Sequence, residues 1–118
     1  MPFVKIQYRY GGGVKLFANE LYDMLAEVVA AALTCSNPNG KLVASDVDVE
    51  VVEMSSDFRT RCDICITVEA NDFPERRADL ELRGGRILQA IQRLQASKKE
   101  APTVSLWVRL SPAFWGMS

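Results

Sequence analysis

Pro2 stands directly after Met1 and opens the apolar run Phe3-Val4-Lys5-Ile6-Gln7-Tyr8. A second residue as small as proline permits removal of the initiator methionine. That step would leave a secondary amine with no carbonyl on its nitrogen, a base able to take up a proton. Proline costs little at the first residue of a strand, because its missing N–H need not serve a ladder. The plainer reading of Pro2 is a tolerated second residue. Histidine is absent, which excludes Ser-His-Asp and Cys-His nucleophile systems within the chain, and histidine-based zinc sites too. Acid–base work near neutral pH then falls to a shifted carboxylate, Lys, Cys, Tyr or the N-terminal amine.

The 3 cysteines are Cys35, Cys62 and Cys65. Cys62-Asp63-Ile64-Cys65 has the C-x-x-C spacing of redox motifs. Redox chemistry of that kind wants its first Cys at a helix N-terminus. Here the pair falls at the start of a predicted strand, where residues three apart point to opposite faces. Packing as small apolar side chains is the expectation. Gly11-Gly12-Gly13 forms a turn free of side chains, but no Gly-Lys-Ser/Thr follows to make a phosphate loop.

A chain of 118 residues with 48% apolar and 25% charged residues is of a size and composition for one globular domain. A net charge of −1 gives no electrostatic reason to expect nucleic acid or an anionic membrane as partner. No apolar run approaches the roughly 20 residues of a membrane span, and no secretory signal pattern opens the chain. A cytoplasmic location is the expectation.

The elements that would carry these residues follow from periodicity. Pro2 to Tyr10 reads as a strand, and Val14 to Leu33 as a helix. Phe17, Leu21, Met24, Leu25, Val28, Val29 and Ala32 make the helix's apolar face. Ser36-Asn37-Pro38-Asn39-Gly40 stops it with turn chemistry. Asp46 to Met54 reads as a strand with Val47, Val49 and Val51 on one side, and Cys62 to Glu69 as a third strand. Asp72, Pro74 and Glu75 spell a helix start, and that helix runs to about Ala96. Gly84-Gly85 in its middle predicts close packing. Thr103 to Leu110 is the last strand. The order βαββαβ repeats one pattern in two halves, 2–60 and 61–118. The predicted fold is α+β: two βαβ units forming a four-stranded mixed sheet, with two helices on one face. The other face is expected to carry apolar residues that a second subunit covers.

The chain resembles the tautomerase superfamily, which includes macrophage migration inhibitory factor and 5-carboxymethyl-2-hydroxymuconate isomerase. The resemblance rests on Met1-Pro2 leading into a strand and on the duplicated βαβ order. It rests also on Val47-Asp48-Val49-Glu50-Val51-Val52-Glu53-Met54, similar to the family's second strand, and on Cys62 to Ile91. It implies a homotrimer, no cofactor, and a small carboxylate-bearing partner. It also implies that Pro2, once unblocked, is the general base and acid that moves a proton in a keto–enol or unsaturated 2-oxo acid substrate. Phe58 looks like the family's apolar wall. Ile64 takes a similar place deeper in the site, and Tyr8, Phe114 and Trp115 could add to the wall. Arg76 and Arg77 stand near where long-chain members keep substrate-binding arginines, and arginine's paired N–H fork suits a carboxylate.

Departures from the family pattern keep alternatives open. Short-chain members place an arginine where this chain has Gly11-Gly12-Gly13, between Arg9 and Lys15. Asp48 replaces another common arginine. One alternative is a hydratase-, dehalogenase- or decarboxylase-like relative with protonated Pro2, in which Asp48 or Glu50 activates water. The other is a non-catalytic trimeric binding or structural protein.

Overall fold

Alternation of apolar and polar residues makes Phe3–Tyr8 a strand, β1, with Val4, Ile6 and Tyr8 buried and Phe3 exposed. A computed structural model describes residues 2–112 and 116–118. After β1 come helix α1 (Gly12–Leu33), strands β2 (Asp48–Glu53) and β3 (Ile64–Asn71), helices α2 (Pro74–Ala78) and α3 (Leu80–Ala96), and strand β4 (Val104–Ser111). The sheet order is β2-β1-β3-β4. β1 and β2 are parallel, β3 and β4 are parallel, and β1 meets β3 antiparallel. Two βαβ units thus join through their first strands into one mixed α+β sheet.

Register places apolar residues in rows across the inner face. Val49, Val4, Val68 and Val108 form one row; Val51, Ile6, Ile66 and Leu106 form the next. α1 covers them with Phe17, Leu21, Leu25, Val29 and Leu33, all buried. This helical stripe is the face its periodicity predicts. α3 contributes Ile87 and Ile91 to the same core.

Several details differ from the sequence reading. α1 begins at Gly12 rather than Val14, so two of the three glycines enter the helix. Gly11 stays outside at φ 154, a conformation L side chains rarely adopt. The second helix is interrupted at Asp79 (φ −129, ψ 36), giving α2 and α3. The expected capping box is not formed: Asp72 pairs with Arg77, and Glu75 accepts hydrogen bonds from Ser36. Gly84 and Gly85 are not tightly packed. A Cβ at Gly84 would meet Val108 at 3.7 Å, one at Gly85 would meet nothing within 4 Å, and a 520 Å³ groove separates this part of α3 from β4. The uncovered face is also not an apolar surface. It carries Lys5, Gln7, Glu50, Thr67, Glu69 and Arg109, with Phe3, Val52 and Trp107 among them. The strand parity that buries Val4 and Ile6 sends these residues outward.

Two buried arginines hold the end of α1. Arg76 donates to the carbonyls of Leu33 (2.7 Å), Asn71 (3.1 Å) and Gly40 (3.1 Å). Arg83 donates to the carbonyls of Ala32 (3.2 Å) and Thr34 (2.7 Å). The last carbonyls of a helix lack internal partners and carry partial negative charge, so cations are favoured there. Gly40 sits in the same knot, and a Cβ on it would come within 2.2 Å of the Cys35 sulfur.

Candidate active site

Pro2 lies at the entry to the central strand. Its carbonyl accepts a hydrogen bond from the Asp48 N–H (3.0 Å). Phe3 is in register with Asp48 on one side and Glu69 on the other, which puts Pro2 between Val47 and Ala70. Pro2, Val47 and Ala70 are all buried. By alternation Pro2 shares the inner face with Val4 and Ile6. The starts of β1 and β2 and the ends of β3 and β4 meet here, because β1 runs antiparallel to β3.

Charged groups gather around this end, and most are already engaged. Arg76 is 2% exposed, with Nε, Nη1 and Nη2 each donating to a backbone carbonyl and its guanidinium 4.9 Å from the Phe73 ring centroid. Burial pushes its pKa down from the ordinary arginine value, and the neighbouring Cys35 opposes that shift. It serves as structural cement between α1, α2 and the Gly40 turn. Arg77 is exposed and pairs with Asp72 at 2.9 Å. Arg109 lies 3.7 Å from Glu69 on the open face. Lys41, next to the Gly40 knot, is exposed and joins no salt bridge among the described residues. Sequence reasoning passed over Lys41, since nothing in its neighbours marks it. Only the engagement of the three arginines singles it out.

The apolar candidates stand at the other end of the sheet. Tyr8 is in register with Ile64, and Ile64 is a fully buried core residue. Six residue steps along β1 separate Tyr8 from Pro2, about 20 Å at strand rise. Phe58 follows β2 on an exposed loop and lines a 250 Å³ recess with Arg9, Tyr10 and Glu53. Arg9 donates to the carbonyls of Thr60 (2.9 Å) and Cys62 (3.2 Å). Trp115 and Phe114 lie outside the described residues. One chain therefore brings Pro2, Arg76 and Arg77 to one end and Tyr8, Phe58 and Ile64 to the other.

The remaining motifs sit elsewhere. Cys62 precedes β3, Cys65 is on the strand, and both are free thiols. Neither is at a helix N-terminus. Among the described residues no cluster of three or more His, Cys, Asp or Glu could hold a metal ion. No helix among them is long and apolar enough to cross a membrane.

No family model matches the chain, and no curated protein does. Solved structures do. A fused 4-OT described as a symmetric trimer aligns with a TM-score of 0.55 at 13% identity, over 93% of this chain and 85% of that one. MIF2 of Leishmania major aligns with a TM-score of 0.55 at 13% identity, covering 98% and 93%. A macrophage migration inhibitory factor-like protein of Entamoeba histolytica reaches 0.50 at 18% identity, covering 99% and 95%. The chain shares its fold with these solved structures. At such identities the likeness is one of backbone, and side-chain chemistry must be argued from this chain. In this fold Pro2 is buried at the entry to the central strand.

Proposed function

We propose that the chain, once Met1 is removed, is a cofactor-independent tautomerase that moves a proton in a keto–enol or unsaturated 2-oxo acid substrate. Pro2 is the general base and acid. The observation that carries this reading is the burial of Pro2 between Val47 and Ala70. Desolvation disfavours the charged form of an amine, which supports a neutral, basic Pro2 nitrogen in this reading. A base works best with its pKa near the working pH.

The working unit is a homotrimer. A site that uses both Pro2 and the Tyr8 and Phe58 wall cannot close within one chain, because about 20 Å of strand separates them. A neighbouring copy supplies the wall: its Phe58 recess faces Pro2 across the subunit boundary. Lys41 holds the substrate carboxylate, since it is an exposed cation beside the Gly40 turn with no ion pair among the described residues. Arg77 is the next in line, through an exposed pair with Asp72 that a substrate can compete for.

Ketonisation of enol-phenylpyruvate, followed by absorbance, tests the proposal. Native protein of confirmed intact mass lacking Met1 accelerates the reaction. Pro2→Ala loses at least about 100-fold of the rate, the span of one general base. Equal rates would remove Pro2 from the mechanism. Lys41→Ala raises KM about 10-fold, the loss of one charge-assisted contact, and leaves kcat nearly unchanged.

One observation favours a second reading. Asp48 and Glu69 flank the start of β1, and negative charge near an amine stabilises its protonated form. In that reading Pro2 is a resident acid and Asp48 activates water for addition to an unsaturated acid. The charge on Pro2 at neutral pH separates the two.

A further inference from the structure

The inner face of the sheet changes character at the end away from Pro2. Val4 is in register with Val49 and Ile6 with Val51, but the next pair on that face is Tyr8 with Glu53. A carboxylate there ends the valine row and breaks the local pattern, and such breaks tend to mark functional places. Above it, Lys15 and Asn19 stand one turn apart on α1 and face the same way.

These four side chains line one open cavity of 320 Å³, with the exposed Tyr10 and Leu16 as its apolar rim. Tyr8 is 8% exposed, and its hydroxyl has no hydrogen-bond partner among the described residues although its side chain lines the cavity. Lys15 and Glu53 join no salt bridge among the described residues. The first turn of α1 has no side-chain cap, so its N–H groups and the positive end of its dipole add to the charge of Lys15. Positive charge thus stands on the helix side and negative charge on the sheet side, each without a protein partner.

A simple anion would be repelled by Glu53, and a simple cation by Lys15. A molecule carrying both charges satisfies both walls. We propose that this cavity binds a free α-amino acid with an apolar or aromatic side chain. Its carboxylate lies at Lys15 and the start of α1, and its ammonium at Glu53. The side chain lies against Tyr10 and Leu16, and the Tyr8 hydroxyl completes the polar floor. All the residues of the site come from one chain, and Tyr10 and Glu53 also line the Phe58 recess.

Calorimetric titration of the full chain with leucine and phenylalanine tests the proposal, with 3-phenylpropionate and 2-phenylethylamine as singly charged controls. At least one amino acid binds saturably at millimolar concentration or below, and both controls bind at least about 10-fold more weakly. Glu53→Gln abolishes the preference over 3-phenylpropionate, and Lys15→Gln abolishes that over 2-phenylethylamine, with circular dichroism unchanged in both. Tyr8→Phe weakens binding a few-fold and keeps the preference. No saturation by about 10 mM would overturn the proposal. So would equal affinity for either control.

Discussion

Single residues show how position overrules residue type. Arg76 and Arg77 are adjacent and look alike in sequence as carboxylate binders. Arg76 is consumed by carbonyls at residues 33, 40 and 71, partners that only the fold brings together, while Arg77 reaches solvent. Arg76→Met strands buried acceptors and destabilises the fold by about 1–3 kcal/mol, which denaturant unfolding measures. Gly40→Ala must push against the Cys35 sulfur and the Phe73 ring, at 2.2 and 3.1 Å from the added Cβ. Overpacking of that kind costs about 1–3 kcal/mol and appears as a lower Tm. Glu75 accepts from the Ser36 hydroxyl and N–H, which holds its pKa below the ordinary 4.5, with Arg83 assisting. A depressed carboxylate pKa gives stability that is complete above the unfolded value and lost as pH falls through the folded one. Glu75→Gln therefore lowers Tm at pH 7, and the gap from native narrows as pH falls below 4.5 and through the lowered folded value. A gap independent of pH would remove Glu75 from acid sensitivity.

Among the elements, periodicity made the strands and α1 legible, because apolar rows at spacing 2 and 3.6 leave few choices. The interruption at Asp79 was not legible. Leu80, Ile87, Leu88, Ile91 and Leu94 suggest a helix continuous with the one before it, but Arg83 takes an inward place to reach the end of α1. Asp79 bonds Arg83 at 2.5 Å as the chain turns between α2 and α3. Glu53 was within reach of the sequence: it continues the parity of Val49 and Val51, so its place beside Tyr8 at the exposed strand end follows from counting. Gly85 is the opposite case, a glycine that invites a packing argument and has open space beside it. Gly85→Ala removes backbone freedom from the unfolded chain and stabilises α3 by about 0.5–1 kcal/mol, read as a raised Tm. A lowered Tm would mean that another surface packs against that glycine.

For the molecule as a whole, the duplicated βαβ order was legible because each half repeats the same succession of patterns. The antiparallel join between β1 and β3 gathers both βαβ units into one sheet and leaves β2 and β4 as edges. The argument for association changes accordingly. The open face is too polar to demand an apolar cover, but the distance between Pro2 and the Phe58 recess demands a second copy if both serve one site. Sedimentation equilibrium of native protein gives the mass of three chains, and a monomer carrying full activity would contradict that arrangement. The candidate site was legible only in Pro2. Its surroundings were not, because they come from loops distant in sequence and, in the proposed trimer, from another chain.

The claim on which the rest depends is a neutral, basic nitrogen at Pro2. Protein labelled with nitrogen-15 at proline and titrated by NMR reads that nitrogen directly. The account predicts an amine signal that titrates at or below about pH 7 and is absent from Pro2→Ala. An amide signal from a retained Met1, or an amine that stays protonated beyond about pH 8, would contradict it.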